Sequence, residues 1–455
     1  MRRTGSLLAG SCLVTALIAV AAAGSAGSAA AAVAYTCSGN AAVDESRLQP
    51  LIDGGGEITL RGPRSCAGNY LALGVTVAIA GAGSGVTMDG GGTGSVLIAG
   101  AGAAVTLSNL TLTGGEGSGS DDGPGAAGGG NGGAVSMVDA TLTVVRCRIV
   151  GNRADDQGGG IHAAESTVTL IDSTVAGNTS RLGGGGIDAD DDVDLTIIRS
   201  TISGNTTGPH GGGVELFDGT LAITDSTIRA NELTDTTDFR SGGGIWSGLS
   251  VVTVSRSTVS DNASPEYGGG IGFSGGPGSS LTLLDSTVSG NRATLGGGGI
   301  RNDAYYGDAP LLVDHSTIAG NRAAQGGGVD AFALNGFTSS VSVTSSTIAG
   351  NRAPQLGGGI NSFVDPSGGA TIVSVASSTI GSRPNRLGDG NRAAFGGGIA
   401  ANGANGPASI VLHAGTVLVA NVAAFDGGGV FTRNGATLTT GPGVLMLLNR
   451  PNNVG

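Results

Sequence analysis

Ser316-Thr-Ile-Ala-Gly-Asn321, followed by Gly326-Gly-Gly-Val329, is the stretch from which the rest of the chain can be read. Thr-Ile-Ala alternates polar and apolar in the two-residue rhythm of a strand. The asparagine then marks a turn, and the glycine triplet supplies a corner where backbone must pass close to backbone. From residue 132 onward both signatures recur. The Ile or Val that closes the glycine corner falls at Val135, Ile161, Ile187, Val214, Ile245, Ile271, Ile300, Val329, Ile360, Ile399 and Val430, 26 to 31 residues apart with a single step of 39. The long step carries an insertion, Ser382 to Asp389, between a strand and its asparagine, where a loop belongs.

Between corners the apolar segments are short, rich in Val, Ile and Thr, and alternating, as in Leu281-Thr-Leu and Leu221-Ala-Ile. They leave no room for a crossover helix, so each strand must pair with its equivalent one turn on. The fold class is therefore all-β, a right-handed parallel β-helix of about eleven regular coils preceded by less regular amino-terminal coils. The expected divisions are a signal peptide (1–34), an amino-terminal cap (35–56), irregular first coils (57–113), a Gly-rich surface loop (114–133), the regular repeats (134–449) and a carboxy-terminal tail (450–455). The run Val444 to Leu448 is expected to close the carboxy-terminal end.

The repeat predicts two internal stacks. One is an asparagine ladder through Asn152, Asn178, Asn205, Asn231, Asn262, Asn291, Asn321, Asn351, Asn391 and Asn421. The other is a column of small residues, Ser173, Ser200, Ser226, Ser257, Ser286, Ser316 and Ser346, which Cys147 continues as a buried side chain and not as a nucleophile. Cys37 and Cys66 lie outside the repeats and are expected to form a disulfide. A further column, from Thr174 to Thr347, reflects β-propensity. Arg229 interrupts the column beside it and removes the flat array that ordering ice would need.

Composition sets the broad class. The 90 glycines and 3% aromatics argue against an ordinary globular core, while 39% hydrophobic residues are too many for a disordered chain. Arg2-Arg3, the apolar run Leu7 to Val20 and Ala32-Val33-Ala34 read as a secretory signal cleaved before Tyr35, which sends the protein to the cell surface or beyond. No later run would span a membrane as a helix. Removing Arg2 and Arg3 leaves 20 basic against 34 acidic residues, a net charge of −14, so nucleic acid is not an expected partner. There is no lysine, which removes Schiff-base chemistry.

The repeats, on Ser316-Thr-Ile-Ala-Gly-Asn321 with Gly326-Gly-Gly-Val329, resemble those of polymorphic outer-membrane proteins within the pectate-lyase-like superfold. Those families pair a GGA(I/L/V) motif with a Phe-x-x-Asn motif. Here the first is nearly kept and Ile or Val replaces the Phe, over about two thirds of the chain. The resemblance implies a secreted or surface-displayed adhesive passenger. Together with the uniform repeats and the lack of a complete catalytic set it leads to the expectation of a non-enzymatic binding protein, with an extracellular glycan or a host or cell-surface component as its partner.

Alternation turns the residue after each corner outward, giving a column of His162, Asp188, Glu215, Trp246, Gly272, Arg301, Asp330 and Asn361. If the chain is instead a polysaccharide lyase or glycoside hydrolase, His162, Asp188 and Glu215 are its candidate acid and base groups. Trp246, Arg301 and Asp330 are the candidate binding residues, with Trp246 a sugar platform. Of the polygalacturonase-like set, only Asp191-Asp192 and Pro209-His210-Gly211 find an echo. No cofactor or metal centre is expected. Structural calcium at the crowded Asp188, Asp190, Asp191, Asp192 and Asp194 is the weaker alternative, and otherwise this is a solvated charged loop.

Overall fold

A computed structural model describes residues 32–83, 85–118, 130–235, 241–382 and 388–455. Most of the expected signal segment, the centre of the Gly-rich loop and most of the 382–389 insertion lie outside these residues. The described chain winds as a right-handed parallel β-helix, the hand that strand-to-parallel-strand connections take. One sheet contributes 14 strands, from Cys66–Ala67 to Leu445–Leu447, one for each turn. The helix thus has about 14 turns where the corner signature marks eleven, because the first turns, before Gly132, are built without that signature.

A representative coil shows why. Its three strands are Ile161–Ala164, Thr167–Ile171 and Thr174–Ala176. Ile161, Ala163, Val168, Leu170 and Val175 all point inward and are fully buried. Each large aliphatic side chain so buried contributes roughly 1.5–3 kcal/mol relative to exposure. The core is continuous along the axis because equivalent residues stack coil on coil: Val168 on Leu195, Leu195 on Leu221.

Both expected ladders form. Asn178 donates from its backbone N and its Nδ2 to Asn205 Oδ1, each at 3.0 Å, and Nδ2 also reaches Ile149 O at 3.0 Å. The pattern repeats to the last turn, where Asn449 extends the ladder by accepting from Asn421 N and Nδ2 at 3.0 Å. Residues 450–455 are therefore not a separate tail: Arg450 bridges Val422 and Val454 bridges Val430. The Val444 to Leu448 run supplies the last strand of the 14-stranded sheet, Leu445–Leu447, with Val444 and Met446 packed against the core and Leu445, Leu447 and Leu448 left 50%, 47% and 67% exposed. In the serine stack, Cys147 N donates to Ser173 Oγ at 3.1 Å, and burial pushes the Cys147 thiol up, away from the thiolate.

At the amino end Cys37 and Cys66 are disulfide-bonded. The cap contains a helix that alternation could not reveal, α1 (Ala41–Asp53), started by Asn40, whose side chain accepts from Val43 N. Buried Asp44 ties this cap together. Its carboxylate accepts from Tyr35 Oη at 2.6 Å, Ser38 N at 2.9 Å, Ala67 N at 3.0 Å and Gly39 N at 3.1 Å. Among the described residues no helix is long and apolar enough to cross a membrane.

Candidate functional site

The register of the column after the glycine corners is as the repeat predicts. His162 pairs with Asp188, Asp188 with Glu215, Glu215 with Trp246, Trp246 with Gly272, Gly272 with Arg301, Arg301 with Asp330, and Asp330 with Asn361. Its environment differs from the expected solvated face. Asp188 is 0% exposed, His162 2%, Glu215 7%, Trp246 8%, Arg301 5% and Asp330 2%. The cause lies in the corner itself. Gly158, Gly184 and Gly326 take positive φ, and the chain there folds back against the column. A Cβ on Gly184 would lie 2.5 Å from Asp188 Cβ, and one on Gly326 2.6 Å from Asp330 Cβ. Only glycine permits that approach, so the same corners that end each coil also roof the column.

Two clusters result. In the first, His162 Nε2 stands 3.6 Å from Asp188 Oδ2. Glu215 Oε2 accepts from Gly184 N at 3.1 Å, and Gln157 Nε2 donates to Asp190 Oδ2 at 3.0 Å. Burial, then the charges of Asp190 and Glu215, push Asp188 well above the carboxylate range. Burial and Asp190 do the same to Glu215 against the Gly184 N–H, while burial and Asp191 raise Asp190. Burial lowers His162 to about 4. The Asp188–Asp194 segment is not a loop: it runs through the long strand Ile187–Ile198, with a register shift between Asp190 and Val193. Asp191 and Asp192 are exposed at this bulge, and of the five acids only Asp188 and Asp190 converge with His162. Trp246 is no open platform. It is packed between the His210 ring, at 4.7 Å, and the Phe217 ring, at 6.1 Å.

In the second cluster Arg301 is held between the Tyr267 and Phe332 rings, 4.6 and 4.1 Å from their centroids. Its Nε reaches Asp303 Oδ1 at 2.5 Å and its guanidinium also pairs with Asp330. Asn361 Nδ2 donates to Asp330 Oδ1 at 2.7 Å. Burial lifts Asp303 to about 6 against the pull of Arg301. A cavity of about 260 Å3 opens over this cluster, lined by Arg301, Asp330, Gln325, Gln355, Phe332 and Phe363 among others. Thus the structure joins Arg301 and Asp330 in one site and His162, Asp188 and Glu215 in another, with Trp246 beside the latter.

One feature escapes a reading centred on the corners. Arg292, Arg322, Arg352 and Arg392 are in register on four consecutive coils and all are exposed. Among the described residues none has a carboxylate within ion-pairing distance. Beside them lies a groove of about 370 Å3 lined by Arg322, Arg352, Pro354, Arg392 and Phe425. Phe425 is 68% exposed and its ring centroid lies 5.2 Å from that of Phe395. The signal was present as Asn-Arg-Ala, which begins at the ladder asparagine in Asn291, Asn321, Asn351 and Asn391, as it also does at Asn152 outside the stripe.

Fold and surface together define the class: a right-handed parallel β-helix with a polar, partly roofed column and an arginine stripe. A family model described as a right handed beta helix region matches residues 132–307, which supports the β-helix and not the outer-membrane repeat type in particular. No curated protein matches the sequence. Among solved structures, the catalytic unit of a thermostable GH87 alpha-1,3-glucanase from Streptomyces thermodiastaticus strain HF3-3 is similar at 13% identity, over 94% of this chain and 69% of that one, with a TM-score of 0.30. A likeness that distant carries no argument about chemistry.

Proposed function

We propose that this chain is a secreted, surface-associated β-helix that binds an acidic extracellular glycan along Arg292, Arg322, Arg352 and Arg392. The stripe carries the reading. Consecutive strands lie about 4.8 Å apart, so the stripe presents a guanidinium at each step, comparable with the advance of one sugar along an extended chain. Guanidinium forks take carboxylates in bidentate fashion, and the exposed Phe425 offers a ring face at the end of the row. The net charge of −14 left after signal removal opposes a polyanion at long range, so the attraction has to come locally from these four arginines.

Cleavage of the bound chain is the second reading, favoured by the register that sets His162, Asp188 and Glu215 on three successive coils. One experiment addresses both. The purified protein is passed over immobilised polyuronate and over a neutral glucan at low salt, and the eluates are assayed for unsaturated products and new reducing ends. Binding predicts retention on polyuronate alone, no products, and release by salt. Exposed charge pairs are worth roughly 0.2–1 kcal/mol each, so changing all four arginines to Ser should weaken retention by about 1–4 kcal/mol, several-fold to several-hundred-fold. Equal retention on neutral glucan, or retention unchanged in that variant, defeats the binding reading. Products that disappear in Glu215→Gln establish the second.

A further inference from the structure

We propose that His162, Asp188 and Asp190 form a binding site for one divalent cation of the class that accepts imidazole, such as Mn2+ or Zn2+. Each residue offers a ligand atom, and the three atoms lie within 4.8 Å of one another. The decisive observation is separate from that proximity. Asp188 is 0% exposed and no hydrogen bond satisfies either of its carboxylate oxygens; its polar neighbours are the carboxyl of Asp190, with which only a shared proton could bond it, and His162 Nε2 at 3.6 Å, and His162 Nδ1 is likewise unsatisfied. Buried polar groups are almost always hydrogen-bonded, and a cation set among these oxygens would let Asp188 and Asp190 ionise together, in place of the proton that burial otherwise imposes.

His162 and Asp188 face each other across the register of adjacent coils. Asp190, two residues beyond Asp188 in the same strand, returns to the same side. Gln157 Nε2 holds one Asp190 oxygen at 3.0 Å and so orients the carboxylate from outside, the arrangement that tunes metal ligands elsewhere. Glu215 stands one coil further on, with Oε2 engaged by Gly184 N. A nitrogen among two carboxylates selects a transition ion over Ca2+ or Mg2+, which take oxygen ligands almost throughout. The ion would join two adjacent coils and neutralise charge under the glycine roof. These residues are not those of the arginine stripe, so either proposal can fail without the other.

The test uses the full chain, stripped with chelator and equilibrated separately with Mn2+, Zn2+ and Ca2+. Metal content after dialysis is read by mass spectrometry, and thermal unfolding by circular dichroism. The expected result is one Mn2+ or Zn2+ per chain, a melting temperature raised by a few degrees, and at least tenfold weaker binding in both His162→Gln and Asp190→Asn. Asp190 is only half-buried, so its variant remains informative if changes at Asp188 prevent folding. His315→Gln, at an exposed histidine, should retain the ion. No stoichiometric ion, an ion undiminished in both variants, or preference for Ca2+ would overturn the proposal.

Discussion

Replacing Asn321 with Ala tests whether the asparagine ladder holds the coils together. The Asn321 side chain takes part in four hydrogen bonds. Its Nδ2 donates to Val288 O and Asn351 Oδ1, and its Oδ1 accepts from Asn291 N and Asn291 Nδ2, all at 3.0 Å. After truncation Asn291 Nδ2 keeps Val259 O and Asn351 Oδ1 keeps the Asn321 backbone N–H, but the Asn291 N–H is left buried without its acceptor. A bond of this kind is worth about 1 kcal/mol net, and an orphaned buried donor costs about 1–3 kcal/mol, so three lost bonds and one orphaned donor put the loss at roughly 4–6 kcal/mol. Because solenoid stability is a sum of coil and interface terms, the damage should centre on the coils either side. Urea denaturation followed by circular dichroism gives the total, and hydrogen exchange at the Asn291 amide gives the local opening. Thr317→Ala, on the half-buried outer row of the same coil, should cost under about 1 kcal/mol. A loss below about 1 kcal/mol for Asn321→Ala, with Asn291 still protected, would refute the ladder as a source of stability.

Two further outcomes follow from the corners and the cap. Gly184→Ala combines φ +52° with a Cβ 2.5 Å from Asp188 Cα and Cβ, and should cost about 2–5 kcal/mol by chemical denaturation, whereas Gly177→Ala, at φ +62° with open space around it, should cost only about 1–2 kcal/mol. Burial works against the charge of Asp44, but the Tyr35 hydroxyl and the backbone N–H groups of Ser38 and Ala67 outweigh it and hold the carboxyl below its ordinary value. A depressed folded pKa means stability that is present above the unfolded value, about 3.9, and lost as pH falls through the folded one. Melting temperature should therefore drop as pH falls below about 4, and Asp44→Asn, less stable at pH 7, should flatten that drop; an unchanged slope would count against the assignment.

Much of the architecture was legible in the residues alone. Strand alternation has a period of two and each coil repeats its corner and its asparagine, so the register from His162 to Asn361 could be written before any coordinate was known. The Asn and Ser stacks and the Cys37–Cys66 bond came with it. The register and the stacks are properties that a one-dimensional repeat determines, because every coil must match its neighbour, whereas the disulfide was legible from two cysteines outside the repeats in an exported chain. What lay beyond the repeat was decided by tertiary structure. Alternation says which side of a strand a residue takes, not what covers that side; the left-handed glycines bring the chain back over His162, Asp188 and Asp330 and turn an expected open face into a buried one. The same path sets Asp190 with His162 while leaving Asp191 and Asp192 at an exposed bulge. Four Asn-Arg pairs are only a repeated dipeptide until the coils stack; then one strand spacing separates their backbones, and a row of charge exists that no single coil contains.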